Sequence, residues 1–363
     1  MNRREFLKGG AGALAASAVA GCRTADPMAK PAAGLRELGP VLTDVEMRTG
    51  TKVRGKCAAC YIDDVIWCLR DLARTKPKSL FDVPFFAMLK ECHDKWGFKV
   101  QLNLFYRTDF FYGADEFSLA DVPDTWKHEF QAAKDWLKLG FHSKQEFPDY
   151  PWVNIDYADM KSIFGDFVRE VERFAGPGVF TYAVVPHWVP VSKEGCQAMK
   201  DLGVKLLGAT DGPRYAYNDD PNCLPYGHAM RLLNNRKSET ALYRRISNDV
   251  AITSSLCGYN HTSTEQTERT NGTCGYVYDR VTGLGFKRFR SGPMLNLEKL
   301  ADVEPEMAKA AATYDFLVFA CHEQYFFRDY LAYQPDYAEK FRIASKYAHD
   351  HGFKFIFVED TVD

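Results

Sequence analysis

The 363-residue sequence predicts an α/β fold with a mainly parallel sheet, wound flat or closed into a barrel. Two observations carry that expectation. Short apolar runs of strand length recur along the chain, and amphipathic stretches with helical spacing and readable ends lie between them. In folds of this class, functional residues gather at the carboxyl ends of the strands.

The first strand-like run, through Cys60-Tyr61-Ile62, leads into Asp63-Asp64. Ser79, with Asp82 three residues on, resembles a capping box before a helix carrying Phe85, Phe86, Leu89 and Trp96. KVQLNLFY (99–106) alternates with period two, as a strand does. Thr125 then caps a helix carrying Phe130, Ala133, Trp136 and Leu137, stopped by Gly140. FTYAVVPHW (180–188) and VKLLGAT (204–210) are strand-length runs, separated by a helix capped by Ser192 and stopped by Gly203. YDFLVFACH (314–322) is another such run. A last helix from about Tyr337 to Gly352 precedes FKFIFVED (353–360). Between about 211 and 292 the alternation breaks. That stretch is rich in Gly, Asn, Thr and Tyr and reads as a loop- or hairpin-rich insertion beside the strand ends.

The chain start reads differently. Arg3-Arg4 followed by Glu5, Phe6, Leu7 and Lys8, then an Ala/Gly run to Ala20, resembles a twin-arginine export signal. The apolar run of about a dozen residues is shorter than the roughly 20 needed to span a bilayer. It ends in Val19-Ala20-Gly21-Cys22, which resembles a bacterial lipobox with Cys22 as the lipidated residue. The alternative is an ordinary cleaved signal with an accidental cysteine. Arg23 is not a retention signal of the aspartate kind, so an outer-membrane anchor is the expected destination. Residues 23–50, with Pro27, Pro31 and Pro40, suit a tether. The remaining 51–363 form the folded α/β domain.

Composition narrows the function. A formal net charge of −2 with mixed signs gives no basic footprint, which argues against nucleic acid as a partner. Aromatic residues are plentiful, at 14% of the chain. Of ten cysteines, nine remain after Cys22, so pairing within one chain leaves at least one thiol. Cys57-Ala58-Ala59-Cys60 is a C-x-x-C, but it runs into a strand where a thioredoxin-like pair would open a helix, and no second pair completes a zinc knot. These read as structural cysteines.

Acids and imidazoles cluster after the predicted strands: Asp63-Asp64, His142 with Glu146, His187, His322-Glu323, and Glu359-Asp360. His142 and Glu146 are four residues apart, which on a helix puts both on one face.

The order of these groups resembles the polysaccharide deacetylase family, the NodB-like carbohydrate esterases. Tyr61-Ile62-Asp63-Asp64 is similar to its T-F-D-D motif, and His142-Ser143-Lys144-Gln145-Glu146 to its H-[ST]-x-x-H motif, with Glu in the last place. Phe319-Ala320-Cys321-His322 loosely resembles its L-x-H motif, and His351 to Asp360 its terminal helix, Gly-aromatic and strand. The resemblance covers about 53–363, interrupted by the insertion. It implies a distorted (β/α) barrel of mainly parallel strands. It also implies removal of N- or O-acyl groups from a carbohydrate by a divalent ion, zinc first and manganese as the alternative.

Under that resemblance Asp64, His142 and Glu146 hold the ion, three ligands leaving room for water. Asp63 is the base and His322 the acid. The arginine of the family's R-x-P-[YF] motif is absent; the aligned stretch is Ala183 to Trp188, and His187 is the candidate substitute. Trp188 and Trp152 are the preferred sugar-stacking residues, with Tyr106 and Trp67 beside them. Two other readings stand. One is a carbohydrate-binding lipoprotein on the same fold without turnover. The other is a glycosidase using two carboxylates from Asp63, Glu146, Glu323 and Asp360. The glycan and the oligomeric state are not legible.

Overall fold

The computed structural model describes residues 37–38, 42–108, 117–146, 151–152, 155–189, 191–209, 214–215, 261–330 and 332–363. The export signal, Cys22 and most of the expected insertion lie outside them. Among the described residues no helix is long and apolar enough to cross a membrane.

The fold is α/β with parallel strands. β3 (Cys57–Val65), β4 (Val100–Phe105), β5 (Leu137–Ser143) and β11 (Phe316–His322) form a parallel sheet in the order β11-β3-β4-β5, and β12 (Lys354–Phe355) pairs with the start of β3. A second sheet has the order β2-β9-β10-β7-β6, from β2 (Val45–Thr49), β9 (Gly275–Asp279), β10 (Gly285–Lys287), β7 (Leu206–Gly208) and β6 (Ala183–Val184). In it, β6, β7 and β10 are parallel, and β9 runs antiparallel to both β10 and β2. A separate short pair joins β1 (Glu37–Leu38) to β8 (Arg214–Tyr215). The helices are α1 (Trp67–Thr75), α2 (Pro84–Trp96), α3 (Lys127–Ala133), α4 (Tyr157–Ala175), α5 (Lys193–Asp201), α6 (Thr264–Thr270), α7 (Val303–Thr313) and α8 (Tyr337–Asp350).

Among the described residues the strands of the expected barrel do not form one closed ladder. The two sheets meet through single bridges, Leu139 with Phe180 on one side and Met294 with Ala320 on the other. Two apolar layers result. Alternate residues of β3, β11 and β6 (Cys57, Ala59, Tyr61; Phe316, Val318, Ala320; Ala183) pack into a small core shared with Leu206 and Tyr276 of the second sheet. Their neighbours Ala58, Cys60, Ile62, Leu317, Phe319 and Cys321 belong to the larger core with the helices, which holds Phe85, Phe98, Phe130, Phe141 and Phe164. The cores stabilise the fold in proportion to the apolar area removed from water, about 25 cal/mol per Å².

Several sequence expectations change. Ser79 does form a capping box, but over a 3-10 turn (Leu80–Asp82); α2 starts afterwards at Pro84, whose missing N–H is no loss at a helix start. Thr125 sits in a 3-10 turn and α3 ends at Ala133, so Leu137 opens a strand and does not extend a helix. Ser192 caps α5 as expected, its Oγ accepting from Gly195 N. The tether of 23–50 ends early, because Val45–Thr49 pairs along β9. The described part of the 211–292 stretch, expected to be rich in loops or hairpins, holds β8, α6 and an antiparallel hairpin of β9 and β10. Its strands are two to five residues long, too short for period two to stand out against Gly and Thr.

Candidate metal centre

Side chains alternate across a strand, so residues two apart share a face. Continuing the inner-core residues of β3 by two gives Asp63, and continuing those of β11 gives His322. On β4 the matching face carries Gln101 and Asn103, both buried. On β5, Leu137, Leu139 and Phe141 belong to the outer core, which leaves Gly140 and His142 facing inward. After β6, Val185 leads to His187. One polar face is thus assembled from five segments at the carboxyl ends of parallel strands.

Two ladder irregularities complete it. In a regular strand Asp64 would point away from Asp63. Here Asp64 has φ 61°, and the β3–β4 register shifts between Ile62 and Val65, turning it toward the same side. On β5, Leu104 faces Phe141 and Phe105 faces Ser143, so His142 is the extra residue of a bulge. Beyond His187 the chain turns through two left-handed residues, Trp188 (φ 60°) and Val189 (φ 76°), closed by Val189 N–H donating to Pro186 O at 2.8 Å. Left-handed backbone costs of order 1–3 kcal/mol per non-glycine residue and collects at functional sites. His187 N–H donates to His142 O at 3.0 Å, tying the last two segments together.

Asp64, His142 and His187 form a buried group whose donor atoms all lie within 4.8 Å of one another, and this group could hold a metal ion. His142 Nε2 lies 3.2 Å from Asp64 Oδ1, His187 Nδ1 lies 3.5 Å from the same oxygen, and the two ring nitrogens are 3.1 Å apart. Tautomers settle what these atoms are. His142 Nδ1 is 2.6 Å from Val185 O and His187 Nε2 is 2.9 Å from Glu146 O. A carbonyl only accepts, so those nitrogens carry the hydrogens and the opposite ones turn lone pairs toward Asp64. Backbone carbonyls on the outer nitrogens are the usual second layer of a metal-bound histidine. Asp64 Oδ2 accepts from Gln324 Nε2 at 2.8 Å, while the buried Oδ1 has no hydrogen-bond partner. Three electron-pair donors facing one another call for positive charge between them, supplied by a metal ion or by a proton on one imidazole. Bonds of about 2.0–2.1 Å in a tetrahedral site place donors about 3.3 Å apart, close to the spacing found.

Electrostatics agree. Burial works against charge on Asp64, but His322, His142 and His187 around it hold its carboxyl well below the usual range. Burial also opposes charge on His142, yet Asp63, Asp64 and the Val185 carbonyl together raise its pKa. Asp63 moves the other way: burial pushes it up more than the nearby histidines and Asn103 pull it down. One Asp63 oxygen accepts from Asn103 Nδ2 at 2.7 Å. His322 stands apart with its side chain 31% exposed; its Nδ1 lies 3.1 Å from Asn296 Oδ1 and its Nε2 4.0 Å from Asp64 Oδ2.

Glu146, expected as a ligand arm, is not part of this donor group. Because 137–143 is a strand and not a helix, the four-residue spacing does not align Glu146 with His142; Glu146 offers its backbone carbonyl to His187, and its carboxylate is outside the donor group. His187, expected on the substrate or in place of the arginine, joins Asp64 and His142 in the buried donor group. The group bonded to Asp63 is Asn103. Trp152 is buried against Phe141, with Nε1 donating to His142 O at 3.2 Å, which is packing and not an exposed sugar platform. Trp67 is buried under Arg70, and Tyr106 leans on Phe167. Trp188 is half-buried, edge-on to His187 at 6.0 Å. Glu323 and Asp360 hold backbone: Glu323 accepts from the N–H groups of Ile66, Trp67 and Cys68, and Asp360 from Phe357 N–H. Sequence reasoning missed Gln101, Asn103, Asn296, Gln324 and Tyr325, whose ring lies 6.4 Å from that of His322. Only Gln101 and Asn103 had a signal, two amides on one face of an apolar strand.

No protein-family model matches the chain, and no curated protein matches it. Among solved structures it is similar to one described as "T48 deacetylase with substrate", at 10% identity and a TM-score of 0.35, over 85% of this chain and 93% of that one. A likeness of that size carries no argument; the functional reading rests on the geometry of the site.

Proposed function

We propose that the protein is a metal-dependent hydrolase that removes N- or O-acyl groups from a carbohydrate, with Asp64, His142 and His187 as the metal ligands. The observation that carries this reading is the buried triangle of lone pairs, 3.1–3.5 Å on a side, around an Asp64 oxygen with no hydrogen-bond partner. One carboxylate and two imidazoles suit zinc, with manganese the alternative. A divalent ion there would supply polarisation of the acyl carbonyl and a lowered pKa for water.

The chain's own groups do the rest. Asp63 takes a proton from the attacking water as its oxygen bonds to the acyl carbon. His322, on the open side, gives a proton to the amine or alkoxide as the bond to it breaks. The products are a carboxylate and a free amino or hydroxyl group on the sugar. Half-buried Trp188 and Tyr325 offer aromatic faces for a pyranose ring. The bridges on both sides of the two sheets support a distorted barrel as the scaffold.

The twin-arginine and lipobox residues support export and lipid attachment at Cys22, with the outer membrane as the anchor. Cys22→Ser should leave the chain unlabelled by a fatty-acid probe in cells. For a two-carboxylate glycosidase, the backbone N–H groups that occupy Glu323 and Asp360 leave Asp63 and Glu146 as the one pair of the four. The decisive test is elemental analysis of purified protein beside His142→Ala, His187→Ala and Glu146→Ala. About one ion per chain, lost in the first two and kept in the third, is expected. A folded wild type that takes up neither zinc nor manganese sinks the reading and leaves a carbohydrate-binding lipoprotein.

A further inference from the structure

We infer that Asn103, on β4, is the positioning residue for Asp63, held in place by Gln101 and by the absence of a side chain at Gly140. This rests on the proposed role of Asp63 as proton acceptor.

The bonds run in one direction. Gln101 Nε2 donates to Ala183 O at 2.9 Å and to Asn103 Oδ1 at 2.7 Å, so both its hydrogens are used. Asn103 Oδ1 is therefore an acceptor, and its Nδ2 must face Asp63, donating to Oδ1 at 2.7 Å. Ala183 O, a fixed backbone acceptor on β6 of the second sheet, sets the amide orientations and leaves no flipped alternative. Gln101 and Asn103 are 1% and 0% exposed, and their relative position is set by a strand, so neither can follow Asp63 if it swings. Asp63 is gripped by one oxygen, and no hydrogen bond is found for the other among the described residues. That is the arrangement a proton acceptor needs: one lone-pair set anchored, one open.

Gly140 makes the space. A Cβ there would lie 2.8 Å from Asn103 Oδ1 and 3.2 Å from Gln101 Nε2, inside the contact limit of both. Its backbone needs no glycine conformation, as it has no positive φ. The glycine on β5 is thus explained by the amide pair beside it. Asn103 touches neither the candidate ligands nor, on this geometry, the substrate; its action passes through Asp63.

The test compares zinc-loaded wild type with Asn103→Ala, Asn103→Thr (closer in volume, in case the first fails to fold), Gly140→Ala and Asp63→Asn. Each is measured for zinc content, for kcat and KM on acetylated xylan and N-acetylated chitooligosaccharides, and by crystallography. In the Asn103 variants the Asp63 carboxylate is expected to leave its wild-type rotamer, and kcat to fall by about 10–100-fold with zinc content and KM unchanged. Gly140→Ala should show the same split, smaller. An Asp63 carboxylate that stays in place, or a kcat within twofold of wild type while Asp63→Asn is inactive, overturns the inference and leaves the hydrolase reading standing. A zinc-free or inactive wild type sinks that reading instead, and the Asp63 rotamer in the Asn103 variants then decides the positioning role alone.

Discussion

Glu323 and Asp64 sit near the carboxyl ends of neighbouring strands β11 and β3, and the protein treats these two buried carboxylates in opposite ways. Glu323 is fully buried and accepts three backbone N–H groups at the start of α1, at 2.7–2.8 Å. Burial pushes its pKa up, to about 7, while the helix start and its N–H donors favour the charged form. Asp64 has one oxygen bonded by Gln324 and the other with no hydrogen bond, facing two imidazole lone pairs. One carboxylate is complete and the other is waiting for a partner. A buried acceptor without a donor costs about 1–3 kcal/mol, more when charged, so incompleteness marks where a ligand belongs.

The contrast can be broken experimentally, and the largest effect is expected at the incomplete site. Asp64→Asn, His142→Ala or His187→Ala should remove the ion and lower turnover by about 10³-fold or more, read by elemental analysis and initial rates. Asp63→Asn should retain the ion and still lose about 10²–10⁴-fold in kcat. Glu323→Ala should do the reverse. It leaves three N–H groups without acceptors and should cost about 3 kcal/mol in denaturant unfolding while metal stoichiometry is unchanged. A Glu323 variant that lost metal at native stability would erase the distinction between the two carboxylates.

Acidity sharpens it. An imidazole must be neutral to bind a metal, and the His142 pKa is raised above 6.5 by its carboxylate neighbours despite burial. Metal affinity should hold at high pH and weaken about tenfold per unit as pH falls below that raised value. The metal-free protein behaves in the opposite sense. A histidine with a raised folded pKa contributes stability that is present below pH 6.5 and lost as pH rises through the folded value. The gain in melting temperature on adding zinc should therefore be larger at pH 8.5 than at pH 6. The smallest effect is expected at the C-x-x-C. Cys57 and Cys60 lie in different cores, burial pushes the Cys57 thiol up to about 11 and the Cys60 thiol higher than usual, and no disulfide joins them. Cys57→Ser with Cys60→Ser should leave metal content and rate within about twofold.

How far the sequence could be read depends on the range of the interaction involved. The Asp63-Asp64 pair and His322 were legible because each ends an apolar run that is itself a strand. His142 was legible as a residue but not as an element, because a strand of seven residues with a glycine in it looked like the tail of the preceding helix. Its partner was missed for the same reason. Glu146 is near in sequence, whereas His187 becomes near only when Phe180 pairs with Leu139 and His187 N–H reaches His142 O. Spacing along the chain carries no record of that pairing. Asn103 could have been found from the period-two reading of KVQLNLFY, which puts it and Gln101 on one face. Strands β9 and β10 were legible only as a hairpin somewhere in 211–292, because they are too short to place by period.

The turn after His187 bears on how this protein could be stabilised. Val189 is a β-branched residue held at φ 76°, where glycine would sit without strain. A thermostabilisation campaign that ranks substitutions by folding energy would select Val189→Gly early, and melting temperature would reward it. The same change would loosen the segment that aims His187. Screens of this scaffold should therefore score metal retention beside heat resistance, since at this turn the two are set against each other.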